Sequence, residues 1–219
     1  MKEIIRLENV VKMIVGQRII NGVSFTVHEG DHVQVCGADE NGRTMLMKLI
    51  AGMELPSEGE ISVKGEALQE MGADKLATLR NRTFGICLRE PSFMPNLTVW
   101  ENVALPLMIR GMDVLKRERA AKAQLKQLGI RQIAYAYPAQ LKPPEAQIAS
   151  IARALIAQPS ILLVEDLKAG LSEKQAGKVM DTLHAASADA TIIHFTAGEI
   201  PGAQRRFILE HGQLREETI

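Results

Sequence analysis

The sequence predicts an α/β fold, in which helices flank a mostly parallel sheet and a helical block is inserted into it. Short apolar runs alternate with segments of helical periodicity, and the apolar run in SILLVED is continuous, as in a strand buried on both faces. From about Leu97 to Ala157 the pattern is helical. We therefore expect one domain over residues 1–219, with a core of about 1–90 and 158–219 and a helical subdomain of about 91–157.

The predicted elements follow one another from the start of the chain. The first two strands are EIIRLENVVKMI and RIINGVSFTV, which are joined by a turn near Gly16. A short buried strand, GDHVQVCG, follows them. The next helix is TMLMKLIAGM, and the two strands that follow it are GEISVKG and RTFGICL. The inserted helices are TVWENVALPLMIRGM, VLKRERAAKAQLKQLGI and PPEAQIASIARALIAQ. After SILLVED come the helix SEKQAGKVMDTLHAAS and the strands ATIIHFT and RRFILEHGQL.

Composition and charge narrow the classes of function. The chain has 26 lysine and arginine residues and 26 acids, and nucleic acid is not expected as a partner because phosphate binding needs an electropositive face. Cys36 and Cys87 have no metal or redox spacing and are expected to be buried free thiols. No run approaches the ~20 apolar residues of a membrane span, and MKEIIRLENVVK lacks the apolar core of a secretory signal. We expect a cytoplasmic protein, or one held at a membrane by a partner.

The stretch CGADENGRTMLMKLIAGM has the outline of a phosphate-binding loop that runs into a helix. The pattern G-x-x-x-x-G-K-S/T binds phosphate because its glycines let backbone N–H groups converge on an anion at a helix N-terminus. Gly37 and Gly42 have that spacing, and Thr44 supplies the hydroxyl that holds magnesium. Arg43 replaces the lysine with a planar guanidinium. The candidate phosphate-binding residues are Gly37, Asn41, Gly42, Arg43 and Thr44.

Two acids within the loop oppose the binding of a phosphate. Asp39 and Glu40 would lie within a few ångströms of it, and at an effective dielectric of about 20 each ~4 Å contact costs up to ~4 kcal/mol. The segment alone leaves two interpretations open, a phosphate cradle or a plain strand–turn–helix without a ligand.

Four stretches together have the order and spacing of one known family. They are ENVVKMIVGQRIINGVSFTVHEGDHVQVCGADENGRT, LTVWENVALPLMIRGM, YPAQLKPPEAQIASIARALIAQPSILLVEDLKAGL and TIIHFTAGE. Over essentially its full length the chain resembles the ATP-binding subunits of ABC transporters. LTVWENVALPLMIRGM is most similar to the subunits that serve lipoprotein and macrolide exporters and the cell-division pair. The resemblance implies a P-loop NTPase-like domain with N-terminal antiparallel strands and, if the site is retained, ATP and magnesium as cofactors.

The resemblance also implies partners and a location. In the family, the surface that matches Arg89 to Arg110 docks on an integral-membrane permease subunit. The chain is therefore expected to work as a homodimer, or as a heterodimer with an intact ABC subunit. Its expected place is cytoplasmic, peripheral on the inner face of the cell membrane through the permease.

The chemically active positions of the family are replaced here, although their spacing is kept. Ile14 stands where the family has the aromatic residue that stacks on adenine, and Arg43 stands where it has the loop lysine. Arg89 stands at the position of the magnesium-sensing glutamine, and Ala197 at that of the switch histidine. The signature LSGGQ matches Leu141, Lys142, Pro143, Pro144 and Glu145. The acidic pair Asp-Glu is inverted as Glu165 and Asp166, which are the candidate catalytic residues. Thr44 and Glu165 are the candidate magnesium ligands.

The signature replacement is the strongest sign of lost function. In the family its serine and glycine amides donate to the γ-phosphate, whereas Pro143 and Pro144 have no N–H. Proline fits the first turn of a helix, so the helix start is expected to survive. Ala197 removes a donor of a kind worth ~3 kcal/mol in a transition state. Inverting Asp and Glu shifts each carboxylate by about one methylene, and small misplacements lower catalysis strongly. Instead of forming a catalytic pair, the two residues can be solvated acids at the edge of the sheet.

Three functions follow from these residues. The favoured one is a degenerate subunit that docks on a permease or sister subunit, with weak or absent ATP hydrolysis. The second is an active ABC ATPase in which Arg43 and Asp166 compensate. The third is a non-enzymatic adaptor that has lost nucleotide.

Several conspicuous residues have simpler interpretations. Trp100 and four methionines are expected to serve packing rather than to bind a cofactor, and His194 is expected in the core or at an interface. The methionines are Met45, Met47, Met108 and Met112. The charged run KRERAAKAQLK is expected to be a solvated helix face.

Overall fold

A computed structural model of the protein describes residues 2–38, 40–187 and 190–217, except for the side chains of Glu40 and Asn41. The strands are β1 Glu3–Ile14, β2 Gln17–His28, β3 His32–Cys36, β4 Glu58–Val63, β5 Glu66–Ala67, β6 Phe84–Cys87, β7 Ile161–Glu165, β8 Thr191–Phe195, β9 Arg205–Glu210 and β10 Gln213–Glu217. The helices are α1 Glu40–Ile50, α2 Ala73–Thr83, α3 Val99–Ile109, α4 Val114–Gln127, α5 Pro143–Leu155 and α6 Glu173–Ala186. Short 3-10 turns cover Leu68–Glu70, Arg131–Ile133 and Pro138–Gln140.

The chain divides into two compact units, Met1–Arg80 with Ala190–Ile219, and Asn81–Asp189. The expected helical subdomain of about 91–157 falls inside the second unit, which also contains β6, β7 and α6. The expected arrangement as a single domain with a subdomain stays a prediction.

The first unit contains an antiparallel sheet in the order β2-β1-β4-β5. Leu7 of β1 lies opposite Phe25 of β2 and Ile61 of β4, and all three side chains are buried. Alternation of apolar and polar residues along β1 produces this buried face. The predicted N-terminal antiparallel strands are confirmed.

The second sheet of this unit has β3 between two parallel neighbours, β8 and β9. Val35 pairs with Phe195 on one side and Phe207 on the other, and α1 buries Leu46, Leu49 and Ile50. The prediction of RRFILEHGQL as one strand is wrong, because the chain turns at His211 and Gly212 and forms the antiparallel pair β9 and β10. Both turn residues have positive φ, which glycine adopts without strain.

The second unit is built around the parallel pair β6 and β7, with α5 packed against β6, α3 and α6. Gly85 of β6 allows this packing, because a Cβ there would lie 2.5 Å from the carbonyl oxygen of Ala154 in α5. At the start of α3, the Thr98 N–H donates to Glu101 at 2.8 Å and closes a capping box. No helix in the described part of the chain is both long and apolar enough to cross a membrane.

Sequence reasoning missed α2, which has a weak helical signal. Leu76 is its one buried apolar residue within the first unit, and its segment ADKLATLRNRT is otherwise largely polar. Hydrophobic periodicity therefore does not reveal it. Both cysteines are buried and free, as predicted.

Candidate functional site

The loop between β3 and α1 is held in shape by a close approach of the backbone. Gly37 has φ of +128°, and a Cβ there would overlap the carbonyl oxygen of Leu209 in β9 and lie 3.1 Å from its carbonyl carbon. Only glycine fits this place without a shift of one of the two backbones. The loop's first glycine is therefore required by the fold, whether or not a phosphate binds.

Arg43 turns its charge onto the loop itself. Its side chain is 4% exposed, and the guanidinium Nη1 donates a hydrogen bond to the carbonyl oxygen of Gly37. A buried guanidinium needs acceptors in place of water, and the loop's own backbone supplies one. The contact links the two ends of the loop. The guanidinium that was expected to reach the phosphates is therefore bonded to the loop backbone.

The other loop residues are partly described. Gly42 is buried and Thr44 is half-buried in the first turns of α1. Asp39 and the side chains of Glu40 and Asn41 lie outside the described residues, so the repulsion expected from the two acids, and the assignment of Asn41, stay predictions.

The segment after β8 lies at the same edge of the sheet as the loop. Val35 pairs with Phe195 in parallel register, so Gly37 and Ala197 both follow the paired residues by two positions. Ala197 is exposed and brings no polar side chain to this edge. Ala197 therefore lies at this edge without a donor, and its assignment as the switch position stays a prediction.

Gln34 fixes this segment, and sequence reasoning missed it. Its side chain is buried in β3, where Nε2 donates to the Gly198 carbonyl at 2.6 Å and Oε1 accepts from the Ile200 N–H at 3.2 Å. The available signal was a glutamine inside the otherwise apolar strand HVQVC, since a buried amide needs partners.

The tip of the β1–β2 hairpin carries the position expected to stack on adenine. Ile14 is exposed beside Met13, and Val15 is 99% exposed with φ of +46°. A β-branched residue is strained at positive φ. The tip is apolar, but its residues offer no ring for stacking.

In the second unit, Arg89 and the acidic pair share one edge of the parallel strands. Cys87 pairs with Val164, so Arg89 and Asp166 each follow a paired residue by two positions. Glu165 ends β7, and Asp166, half-buried with φ of +35°, begins the turn in which its carbonyl accepts from the Ala169 N–H. Aspartate tolerates this conformation better than most residues. Ser172 is the N-cap residue of α6.

Helix α5 holds the segment that follows β6. Gln147, buried on α5, donates from Nε2 to the Arg89 carbonyl at 2.8 Å. Arg153 donates to the Ser92 carbonyl, and its guanidinium lies 4.9 Å from the centre of the Phe93 ring. These anchors leave the Arg89 side chain exposed at the start of the surface expected to dock on a permease.

The Cys87 thiol is fully buried at the end of β6. Burial raises the pKa of Cys87 to about 12, although the charge of Arg153 acts in the opposite direction. The thiol is therefore protonated at neutral pH, and no nucleophilic role is available to it.

The start of α5 is the decisive part of the candidate site. The helix begins at Pro143, as predicted, with Lys142 as its N-cap residue. The Lys142 N–H donates to Glu145 Oε2 at 2.9 Å, and Pro143 and Pro144 have no N–H. Glu145 also places a carboxylate where the helix N-terminus would otherwise favour an anion. This helix start therefore offers an anion fewer backbone N–H donors than a start without prolines would.

Comparison with known proteins identifies the family. The sequence pattern of the family described as ABC transporter matches residues 20–167. The chain is 32% identical over 204 residues to the lipoprotein-releasing system ATP-binding protein LolD of Chromohalobacter salexigens, which covers 91% of this chain and 86% of that protein. The chain belongs to the ATP-binding subunits of ABC transporters.

Other relatives agree with an exporter-type ABC subunit. The macrolide export ATP-binding/permease protein MacB 2 of Yersinia pestis is 30% identical over 97% of this chain, which corresponds to 32% of the larger protein. The ATP-binding cassette MJ0796, solved as a dimer bound to ADP and Pi, superposes with a TM-score of 0.88 at 27% identity, covering 97% of each chain. The predicted family and fold are both confirmed.

Proposed function

We propose that this ABC subunit is degenerate: it docks on a membrane permease and hydrolyses ATP weakly or not at all. The observation that carries the proposal is the start of α5, where the signature positions offer prolines and an engaged amide in place of phosphate donors. In an ABC dimer, each nucleotide site is formed by the phosphate loop of one subunit and the signature of the other. This chain would therefore weaken phosphate binding in the site to which it contributes its signature.

The phosphate loop supports the same conclusion from the other side. Arg43 is engaged with the Gly37 carbonyl, and Ala197 offers no donor at the adjoining edge. ATP and magnesium therefore bind weakly or not at all in this proposal. Glu165 and Asp166 would act as acids at the end of β7 rather than as a catalytic pair.

The proposed partners are a permease and a second ABC subunit. The segment held by Gln147 and Arg153 supports a retained docking surface, because it is anchored to α5 independently of any nucleotide. The protein would work at the cytoplasmic face of the membrane, as a homodimer or with an intact sister chain. The whole chain, 1–219, would act as one ABC domain with a helical subdomain of about 91–157.

Magnesium-dependent ATP turnover by the purified chain, alone and with its permease, tests the proposal. We expect turnover at or only slightly above the background of a protein-free control that contains ATP and magnesium. Turnover at the rate of intact ABC subunits would contradict the proposal and favour the active ATPase. In that case Asp166→Asn should abolish turnover if Asp166 is the base, and unchanged turnover would exclude that role.

A further inference from the structure

Helix α5 carries two buried polar side chains that each have an atom without a hydrogen-bond partner. Gln147 is 4% exposed, and Ser150 is fully buried. Within the described part of the chain, neither Gln147 Oε1 nor Ser150 Oγ has a hydrogen-bond partner. Buried polar groups in proteins almost always have partners, because the bonds to water that they lose on folding must be replaced. The two atoms therefore point to a ligand inside this unit.

The orientation of the Gln147 amide is fixed by its nitrogen. Nε2 donates to the Arg89 carbonyl oxygen at 2.8 Å. A flipped amide would place Oε1 against that carbonyl oxygen, and two acceptors without a hydrogen between them repel each other. Oε1 therefore lies on the side of the amide away from the Arg89 carbonyl. Because an amide oxygen only accepts, the ligand at Oε1 must be a hydrogen-bond donor.

The Ser150 hydroxyl lies beside the thiol at the end of β6. Burial raises the pKa of the Cys87 thiol to about 12, and the Arg153 charge and the Ser150 hydroxyl act in the opposite direction. A thiol is a weak hydrogen-bonding group, so this contact does not replace the bonds to water that the hydroxyl lost. The helix has little room to shift towards β6, because a Cβ at Gly85 would lie 2.5 Å from the Ala154 carbonyl oxygen.

The spacing and chemistry of the two atoms define the ligand. Gln147 and Ser150 are three positions apart on α5, which places their side chains on one side of the helix with Cβ atoms about 5–6 Å apart. One molecule with two hydrogen bonds of about 2.8 Å each spans such a gap. The ligand must be small because both residues are buried. It must also be neutral, since an amide oxygen and a hydroxyl do not compensate the loss of hydration of an ion.

We propose that one internal water molecule bridges Gln147 Oε1 and Ser150 Oγ. The water donates one hydrogen bond to Oε1 and shares a second with the hydroxyl, so that both buried atoms are paired. Internal waters commonly bond polar groups that would otherwise have no partner. A bonded Oε1 fixes the plane of the amide and so holds Nε2 on the Arg89 carbonyl. Gln147 is therefore a positioning residue for the segment after β6. This inference does not rest on the proposed function.

A high-resolution crystal structure of the wild-type chain tests the inference without any substitution. We expect a peak of electron density about 2.6–3.2 Å from both Gln147 Oε1 and Ser150 Oγ. An ordered α5 without density between the two atoms would overturn the inference. A protein donor bonded to Oε1, or a Ser150 hydroxyl bonded to a backbone carbonyl of its own helix, would also overturn it.

Magnetic relaxation dispersion of oxygen-17 water, which counts long-lived internal waters, tests the site in solution. Ser150→Val puts two methyl groups in the place of the hydroxyl and its bonded water, and should lower the count by about one. The matched control is Ser187→Val. Ser187 is also buried, but its hydroxyl donates to the Leu183 carbonyl at 2.6 Å, so the count should not change.

A thermal melt of each variant checks that the fold is intact. An unchanged count in a folded Ser150→Val chain, or an equal loss in the control, would overturn the inference. If valine at position 150 prevents folding, the electron density of the wild-type chain decides between the two outcomes.

Discussion

A chain in which nine of the replaced family residues are restored is expected to turn over ATP, with magnesium, about 100-fold faster than the wild type or more. Each recovered donor to the transferred phosphate is worth roughly 100-fold in rate, and Pro143 and Pro144 at the α5 start supply no N–H. The substitutions are Arg43→Lys, Arg89→Gln, Lys142→Ser, Pro143→Gly, Pro144→Gly, Glu145→Gln, Glu165→Asp, Asp166→Glu and Ala197→His. Phosphate release at saturating ATP and magnesium measures the gain.

The control for this gain is the same chain with residues 142–145 left as they are. It should remain at the wild-type rate, because the phosphate still meets prolines and the Glu145 carboxylate. If the control turns over ATP as fast as the fully restored chain, the α5 start is not the cause of the loss. Wild-type turnover already equal to that of the restored chain would contradict the account altogether.

Gly37→Ala is expected to lower the free energy of unfolding by about 4 kcal/mol, even without nucleotide. The added Cβ would overlap the Leu209 carbonyl oxygen, and φ of +128° is unfavourable for alanine. Denaturant titration followed by circular dichroism measures the loss.

Gly30→Ala is the matched control for Gly37. Gly30 also has a positive φ, +85°, but no atom lies within 4 Å of a Cβ built there. The control should therefore lose about 1 kcal/mol, from backbone strain alone. An equal loss at the two positions would show that the close approach of β9 does not constrain the loop. The loop's shape would then need another explanation.

Much of the fold could be predicted because the periodicity of apolar residues indicates which face of each helix or strand is buried. The strand HVQVC, the helix that begins at Pro143 and the N-terminal antiparallel strands all lie where the sequence places them. Helix α2 was not predicted because its apolar residues are too few to indicate a buried helix face. The β9–β10 turn escaped because His211 and Gly212 stand inside one continuous run.

The site could be predicted as a set of positions but not as a set of contacts. The family spacing located Arg43, Ala197 and the α5 start along the chain. It could not reveal that Arg43 bonds the Gly37 carbonyl, because a long side chain can reach solvent or its own backbone from the same position. The clamp by Gln34 depends on a segment more than 160 positions away in the chain, which local patterns do not report.

We propose that the loop keeps its inherited shape while its phosphate chemistry is lost. An equilibrium titration of the purified chain with ATP, with and without magnesium, tests it most directly. We expect a dissociation constant weaker than about 1 mM under both conditions, which corresponds to a binding free energy of roughly 4 kcal/mol or less. A dissociation constant near 1 μM that tightens with magnesium would contradict it.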